Sequence, residues 1–288
     1  MSVTPLVLLS ELKAQLSQAG SSLSATADAR IRTLIEEESD RLQKECHRRF
    51  DERIETRYFD FIHKRSGGPL FGLELELDDD LRSVSSISNG DGSAISTGDV
   101  ILTPRNETVK TSLRLDRSKS VFWQIGANDP YGAIAVTGLW GWRGAWSLVD
   151  TLSDADFDAS ELSATVSNGA LFEVGMTLKM DSEYLRVSAI NSNTLTFATN
   201  EDGARNLNGS AAAAHDNGVN IYRWAAEPIV QNMVKRLVIW RLEQDKSPLF
   251  GQVVLGDVSF PVDVSSMPQD VQKAIIRADL VRYTVYSA

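Results

Sequence analysis

The sequence predicts an α+β fold in which a four-helix core carries a β-sheet or hairpin region, with a second, small all-β domain inserted into it. Three observations predict it. Apolar residues recur at helical spacing near both ends of the chain, short alternating stretches with Gly and Asn turns fill the middle, and composition shifts sharply at residues 150–223. The core is accordingly assigned to residues 1–149 and 224–288, with helices at 8–18, 28–49, 227–245 and 267–286 and a β region at 58–149.

The first helix runs to about Gln18 and breaks at Gly20-Ser21-Ser22. The second places Ile31, Leu34, Ile35, Leu42 and Cys46 on one face, with Thr26 or Asp28 at its start as a cap. Between Asp28 and Arg57 there are eight basic and nine acidic residues. Such intermixed signs suit either a solvated face or a subunit contact laced with ion pairs.

From Tyr58 onward the pattern becomes β. Leu73, Leu75 and Leu77 alternate with glutamates, and Asp78-Asp79-Asp80 reads as a charged turn ending that strand. Asn89-Gly90 and Asp91-Gly92 are turn dipeptides. Val100-Ile101-Leu102 stops at Pro104, which has no amide proton for a ladder, and Leu113/Leu115 and Ile134/Val136 mark two further strands.

Residues 150–223 hold eleven acidic and four basic side chains, a local charge of −7 within a chain of net charge −10. Strands are expected at 176–180, 184–190, 194–197 and 219–224, which suggests a small β-barrel or sandwich. Pro228 suits the first turn of the third helix. Ser266 and Gln269 form a capping-box pattern before the fourth, and Ser247–Ser265 reads as a long loop with a strand-like stretch at 252–258.

The chain has 288 residues, with 29 basic against 39 acidic, a balance that argues against a surface built to neutralise nucleic-acid phosphates. Cys46 is the only cysteine, which excludes an intrachain disulfide and a cysteine-based zinc site. The run Leu6–Leu9 lacks the basic flank and length of a signal peptide, and no stretch is long enough to span a bilayer, so a soluble protein without membrane association is expected.

Motifs that carry chemistry are few in this sequence. Asp154-x-Asp156-x-Asp158 opens like a calcium loop, but Ala159 and Thr165 stand where glycine and a bidentate glutamate belong. His47, His63 and His215 each stand alone in sequence, and Gly138, Gly141 and Gly144 fit no phosphate-binding pattern. No catalytic, cofactor or metal residue is assigned, and the protein reads as non-enzymatic. Trp140, Trp142 and Trp146, half of the six tryptophans, fall within seven residues. They are either core at the base of the sheet, an inter-subunit or partner contact, or a sugar-binding platform.

Read in order, Arg48-Arg49-Phe50, Tyr58-Phe59-Asp60, Leu77-Asp78-Asp79-Asp80-Leu81, Asn89-Gly90-Asp91-Gly92, Val136-Thr137-Gly138-Leu139-Trp140-Gly141 and Met267-Pro268-Gln269-Asp270-Val271 resemble the head-tail connector, or adaptor, proteins of tailed bacteriophages. The resemblance covers residues 6–149 and 224–286; within the insert, Phe172-Glu173-Val174-Gly175 and Asp181–Val187 resemble small β modules of phage structural proteins. It implies a helical connector core and a homo-oligomeric ring of about twelve copies with an axial channel for DNA. The ring would sit in the virion neck, after assembly in the host cytoplasm, between the portal protein and a tail or stopper protein. DNA would pass without sequence-specific binding. Helices 28–49 and 227–245 are the expected packing surfaces around the ring, and the final helix with Tyr283 and Tyr286 the portal-docking element. Candidate contacts are thus Trp140, Trp142, Trp146, Arg48, Arg49, Trp240, Tyr283 and Tyr286. The alternatives are a DNA-packaging ring protein like a small terminase subunit, which needs a basic DNA-binding helix, and a carbohydrate-binding tail protein built on the tryptophans.

Overall fold

The computed structural model describes residues 4–18, 27–60, 74–124, 131–155, 157–200, 202–245, 252–255, 258–261, 267–278 and 280–282. Gly20–Ser22, Thr26, His63, Leu73, Asp156, Ser266, Tyr283 and Tyr286, singled out above, lie outside the described residues.

The expected helical connector core is not there. The described residues are mostly β, with two antiparallel six-stranded sheets, one separate hairpin and four short helices. The helices are α1 (Leu9–Gln18), α2 (Asp28–Glu45), α3 (Pro228–Asp245) and α4 (Gln269–Arg277). α2 stops four residues early because His47 takes a left-handed conformation at φ 47°, and the residues that follow go into strands.

The first sheet contains β1 (Arg53–Phe59), β2 (Glu74–Ser88), β3 (Ala94–Ile95), β4 (Val100–Thr103), β5 (Lys110–Leu115) and β6 (Ile134–Trp140). Its order is β1-β6-β2-β5-β4, with β3 paired to β2. Asp78–Asp80 are not a turn. They lie inside the fifteen-residue β2, where Asp79 and Asp80 are buried. The Asn89–Gly92 turn leads from β2 towards β3, closed by a hydrogen bond from the Gly92 N–H to the Asn89 carbonyl at 2.9 Å. Gly90 is needed there because a Cβ would lie 2.3 Å from the Gln124 carbonyl oxygen.

The second sheet contains β7 (Gly144–Thr151), β8 (Ser163–Thr165), β9 (Thr177–Met180), β10 (Glu183–Asn191), β11 (Thr194–Phe197) and β12 (Asn220–Ala226), in the order β7-β12-β9-β10-β11-β8. It closes on itself. Leu152 and Val166 form an antiparallel bridge, and the Ser153 N–H donates to the Thr165 carbonyl at 2.9 Å, joining the end of β7 to β8 as a small barrel. A register shift between Val187 and Ala189 lets β10 turn the corner between β9 and β11. The region 252–258 resolves into a hairpin of β13 (Gln252–Leu255) and β14 (Val258–Pro261).

Three apolar cores result. One lies among the helices, where Ile31, Leu34, Val230, Leu237, Val271 and Ile275 meet Phe50 and Trp224. Another fills the barrel with Phe157, Leu178, Met180, Leu185, Val187 and Phe197, and the third lines the first sheet with Phe59, Leu81, Leu113, Val136 and Trp140. Each buried aliphatic or aromatic side chain contributes about 1.5–3 kcal/mol to the folded state relative to exposure.

Candidate functional site

The densest constellation of chemically capable side chains lies where the helices, the first sheet and the barrel meet. Phe50 ends in the helical core, and the next two residues, Asp51 and Glu52, carry buried carboxylates into the start of β1. Asp51 accepts a hydrogen bond from the Thr4 hydroxyl at 2.8 Å and faces Arg49 at 3.5 Å and Arg53 at 3.6 Å. Arg186, from the barrel, donates to the same Thr4 hydroxyl at 2.7 Å. Glu52 receives the Trp146 indole N–H at 2.9 Å and the Tyr184 hydroxyl at 3.2 Å, and it pairs with Arg82 of β2. Asn208, on a tight turn of the barrel, donates to the Glu52 carbonyl at 2.7 Å.

The aspartates of β2 extend the network. Asp80 pairs with Arg48 at 2.8 Å and with Arg282, whose guanidinium also donates to the Leu77 carbonyl at 2.6 Å. Asp79 takes Arg57 at 2.7 Å. Burial pushes the Asp80 carboxyl above the usual range, against the lowering pull of Arg48 and Arg282. For Arg57, burial lowers the guanidinium, but the surrounding Asp79, Asp78 and Glu55 outweigh it and raise it. Each of these four carboxylates faces at least one guanidinium, as burial of charge requires. The network therefore supplies rigid, registered contact between units more readily than a group poised to move a proton.

The residues singled out from the sequence divide around this junction. Arg48 stacks over the Trp142 ring at 3.6 Å from its centroid, with Arg143 at 5.0 Å, and the Trp142 backbone N–H donates to the Arg49 carbonyl at 2.8 Å. Trp146 stacks flat on Tyr184 with centroids 5.5 Å apart. Trp140 is fully buried, packs against Phe59 and donates its indole N–H to the Glu55 carbonyl at 3.0 Å. Trp240 stands apart on α3, with Arg41 over its ring at 5.9 Å. The three clustered tryptophans thus already have ring faces covered from within the chain. The expected ring-packing helices also turn to each other, α2 and α3 sharing the helical core.

A second cluster closes the barrel, and there His215 is not alone. Its Nδ1 lies 2.9 Å from an Asp181 carboxylate oxygen and its Nε2 lies 2.8 Å from Glu183, which also binds Arg205 at 2.8 Å. Arg205, Glu183 and His215 are all buried, and Phe157 stacks against both His215 and Arg205. Burial would raise the Glu183 carboxyl, but hydrogen bonds from His215, Arg205 and the Ala213 N–H outweigh it and hold it low. The Glu183 hydrogen bond in turn raises His215, with burial opposing and Asp181 assisting. Residues 34 and 32 positions away supply the partners, so no local spacing announces the cluster.

The calcium-like acidic run serves as loop caps. Asp154 accepts the Thr165 N–H at 3.1 Å and Asp158 the Ser160 N–H at 2.6 Å. Among the described residues, no three His, Cys, Asp or Glu side chains gather at metal-binding geometry. Burial pushes the lone Cys46 thiol up to about 12, far from the reactive thiolate. No family model, no curated protein and no solved structure matches this chain.

Proposed function

We propose that the protein is a structural adaptor of a tailed phage, forming an oligomeric ring that joins the capsid portal to a tail or stopper protein and leaves an axial channel for DNA. The ordered phrases that resemble head-tail connector proteins motivate this reading. The observation that carries it is the junction itself, where Asp51, Glu52, Asp79 and Asp80 hold the first sheet to the segment after α2 through buried ion pairs, and Glu52 holds the barrel through hydrogen bonds from Trp146, Tyr184 and Asn208. A subunit that transmits contact between two unlike partners needs such a rigid joint, and the same side chains offer no nucleophile and base within reach of an open cleft.

The mostly β architecture changes how the ring is expected to form. With α2 and α3 packed on each other, neighbouring subunits meet through sheet surfaces and loops in place of helix faces. The net charge of −10 suits a channel wall that repels the phosphate backbone and lets DNA slide.

Native mass spectrometry of the purified chain, alone and with a portal complex, tests the reading. A closed ring of about twelve copies is expected. A chain that stays monomeric with portal present overturns it, and retardation of duplex DNA at low salt would favour the packaging-ring alternative.

A further inference from the structure

The open sheet has an outer strand whose chemistry is that of an interface. Among the described residues β1 forms one edge, paired to β6 on one side only. Its charged residues Arg53, Glu55 and Arg57 all alternate to one face, where they pair with one another and with Asp51, Asp78 and Asp79. The opposite face shows Thr56 and Tyr58, both exposed, the latter 67%.

The uncharged character continues inward across the ladder. Thr56 sits opposite Thr137, and Tyr58 opposite Ala135, with Ser86 and Ser88 beyond them on β2. The Thr56 and Thr137 hydroxyls bond to each other at 2.7 Å. In a chain that is 24% charged, a three-strand face of Thr, Ser, Ala and Tyr is conspicuous. Interface cores are depleted of charge and enriched in Tyr in this way.

The first sheet's other edge is defended. β4 is four residues long and is followed at once by Pro104, which cannot extend a ladder. At β1 the turn at Leu207–Gly209 reaches the Glu52 and Ile54 carbonyls, leaving Glu55–Phe59 beside no described strand. The charges of that stretch, Glu55 and Arg57, are drawn into ion pairs on one face, and no Lys, Pro or bulge adds to them.

The chain also carries a donor for such an edge. β13 and β14 pair with each other from Gln252↔Pro261 to Leu255↔Val258 and, among the described residues, with no other strand. A two-stranded hairpin is marginally stable by itself in water and gains from a third strand. Each of its strands is four residues long, short enough to lie along the five free residues of β1, and its sequence holds one charge, Asp257, in ten residues.

We propose that β1 is a strand-acceptor site and that its occupant is the β13–β14 hairpin of a second copy of this chain. This assignment rests on the ring reading and specifies how the ring closes. Donor and acceptor are different surfaces, so the contact is heterologous and propagates from copy to copy, as a closed ring requires.

Two variants and their mixture test it by native mass and sedimentation. T56K/Y58K places charge on the acceptor edge, and replacement of residues 252–261 by a Gly-Ser linker of equal length removes the donor. Each variant alone is expected to fall from ring to monomer, with its tryptophan near-ultraviolet signal retained. Mixed, they hold one intact donor and one intact acceptor between them and are expected to form a 1:1 pair that grows no further. A wild-type ring that survives either variant overturns the assignment alone. Loss of assembly in T56K/Y58K with rings intact in the hairpin variant also overturns it, pointing to β1 pairing with its own copy. A wild-type chain that is monomeric under every condition overturns the ring reading as well.

Discussion

The barrel and the open sheet contain the same number of strands but manage their polar groups in opposite ways. In the barrel the ladder turns back on itself through Leu152 and Val166, and the charges Arg205, Glu183 and His215 are drawn into a sealed cluster. In the open sheet the ladder stops at β1, whose charges gather on one face and leave the other bare. The lesson is that closure concentrates specificity inside a unit, whereas an unclosed sheet holds it at its rim, where another chain can reach it.

The largest expected way to break this contrast is at the two buried anchors. Trp140→Ala removes a fully buried indole from the open sheet and should cost about 3–5 kcal/mol. Arg205→Met leaves Glu183 buried without its guanidinium and should cost a similar ~3–5 kcal/mol. If the two units unfold separately, chemical denaturation will show the first change in the sheet transition and the second in the barrel transition. A single shared loss in both variants would mean that the junction couples them into one cooperative unit.

Acidity sharpens the comparison at intermediate size. Both imidazole nitrogens of His215 lie within hydrogen-bond reach of a carboxylate oxygen, an arrangement that favours the imidazolium, the form in which both nitrogens donate. Asp181 lies on one side and Glu183 on the other, with Arg205 bound to the far side of Glu183. Because His215 is raised in the folded state, its contribution is complete below the unfolded value of about 6.5 and is lost as pH rises through the folded value. Thermal melting of the barrel should therefore weaken on the alkaline side, and H215Q should abolish that slope. A nitrogen-detected spectrum showing a neutral tautomer near pH 7 would contradict the assignment.

The smallest effect on stability is expected at the rim. Tyr58→Ser removes an exposed ring and should change unfolding by no more than about 0.5 kcal/mol. Its consequence belongs to assembly, and a large loss of monomer stability would place Tyr58 in a core.

Much of the barrel was legible residue by residue. The strand at Thr194–Phe197 falls where alternation placed it, and β9 and β10 begin within one residue of expectation, because Asn- and Gly-bearing turns punctuate apolar alternation there. The same logic failed at Asp78–Asp80, since three consecutive aspartates read as a turn unless their cations are known. Those cations are Arg48, Arg57 and Arg282, up to 202 residues away. β1 was hidden for a related reason. Arg53-Ile54-Glu55-Thr56-Arg57 does alternate as a strand does, but its charges continue the mixed-sign run that begins in the second helix, which masks the alternation. Apolar spacing near the ends of the chain continues past Glu45 and Arg277, where α2 and α4 end, so the sequence pattern overstates the helical core. Of the candidate site, Arg48 with Trp142 and Trp146 do converge, yet their partners Glu52, Asp80 and Tyr184 carried no local signal.

The chain enters the barrel on β7 and leaves on β12, and these neighbours pair so that Gly144 stands opposite Ala226. Antiparallel partners of this kind have Cα atoms about 4.5–5.5 Å apart. In chain path the barrel is consequently a cassette, entered and left at one ladder rung, and a tight turn across that rung would carry the chain from the open sheet to α3. In packing it is not, because its removal would take Trp146 and Tyr184 from Glu52 and Arg186 from Thr4.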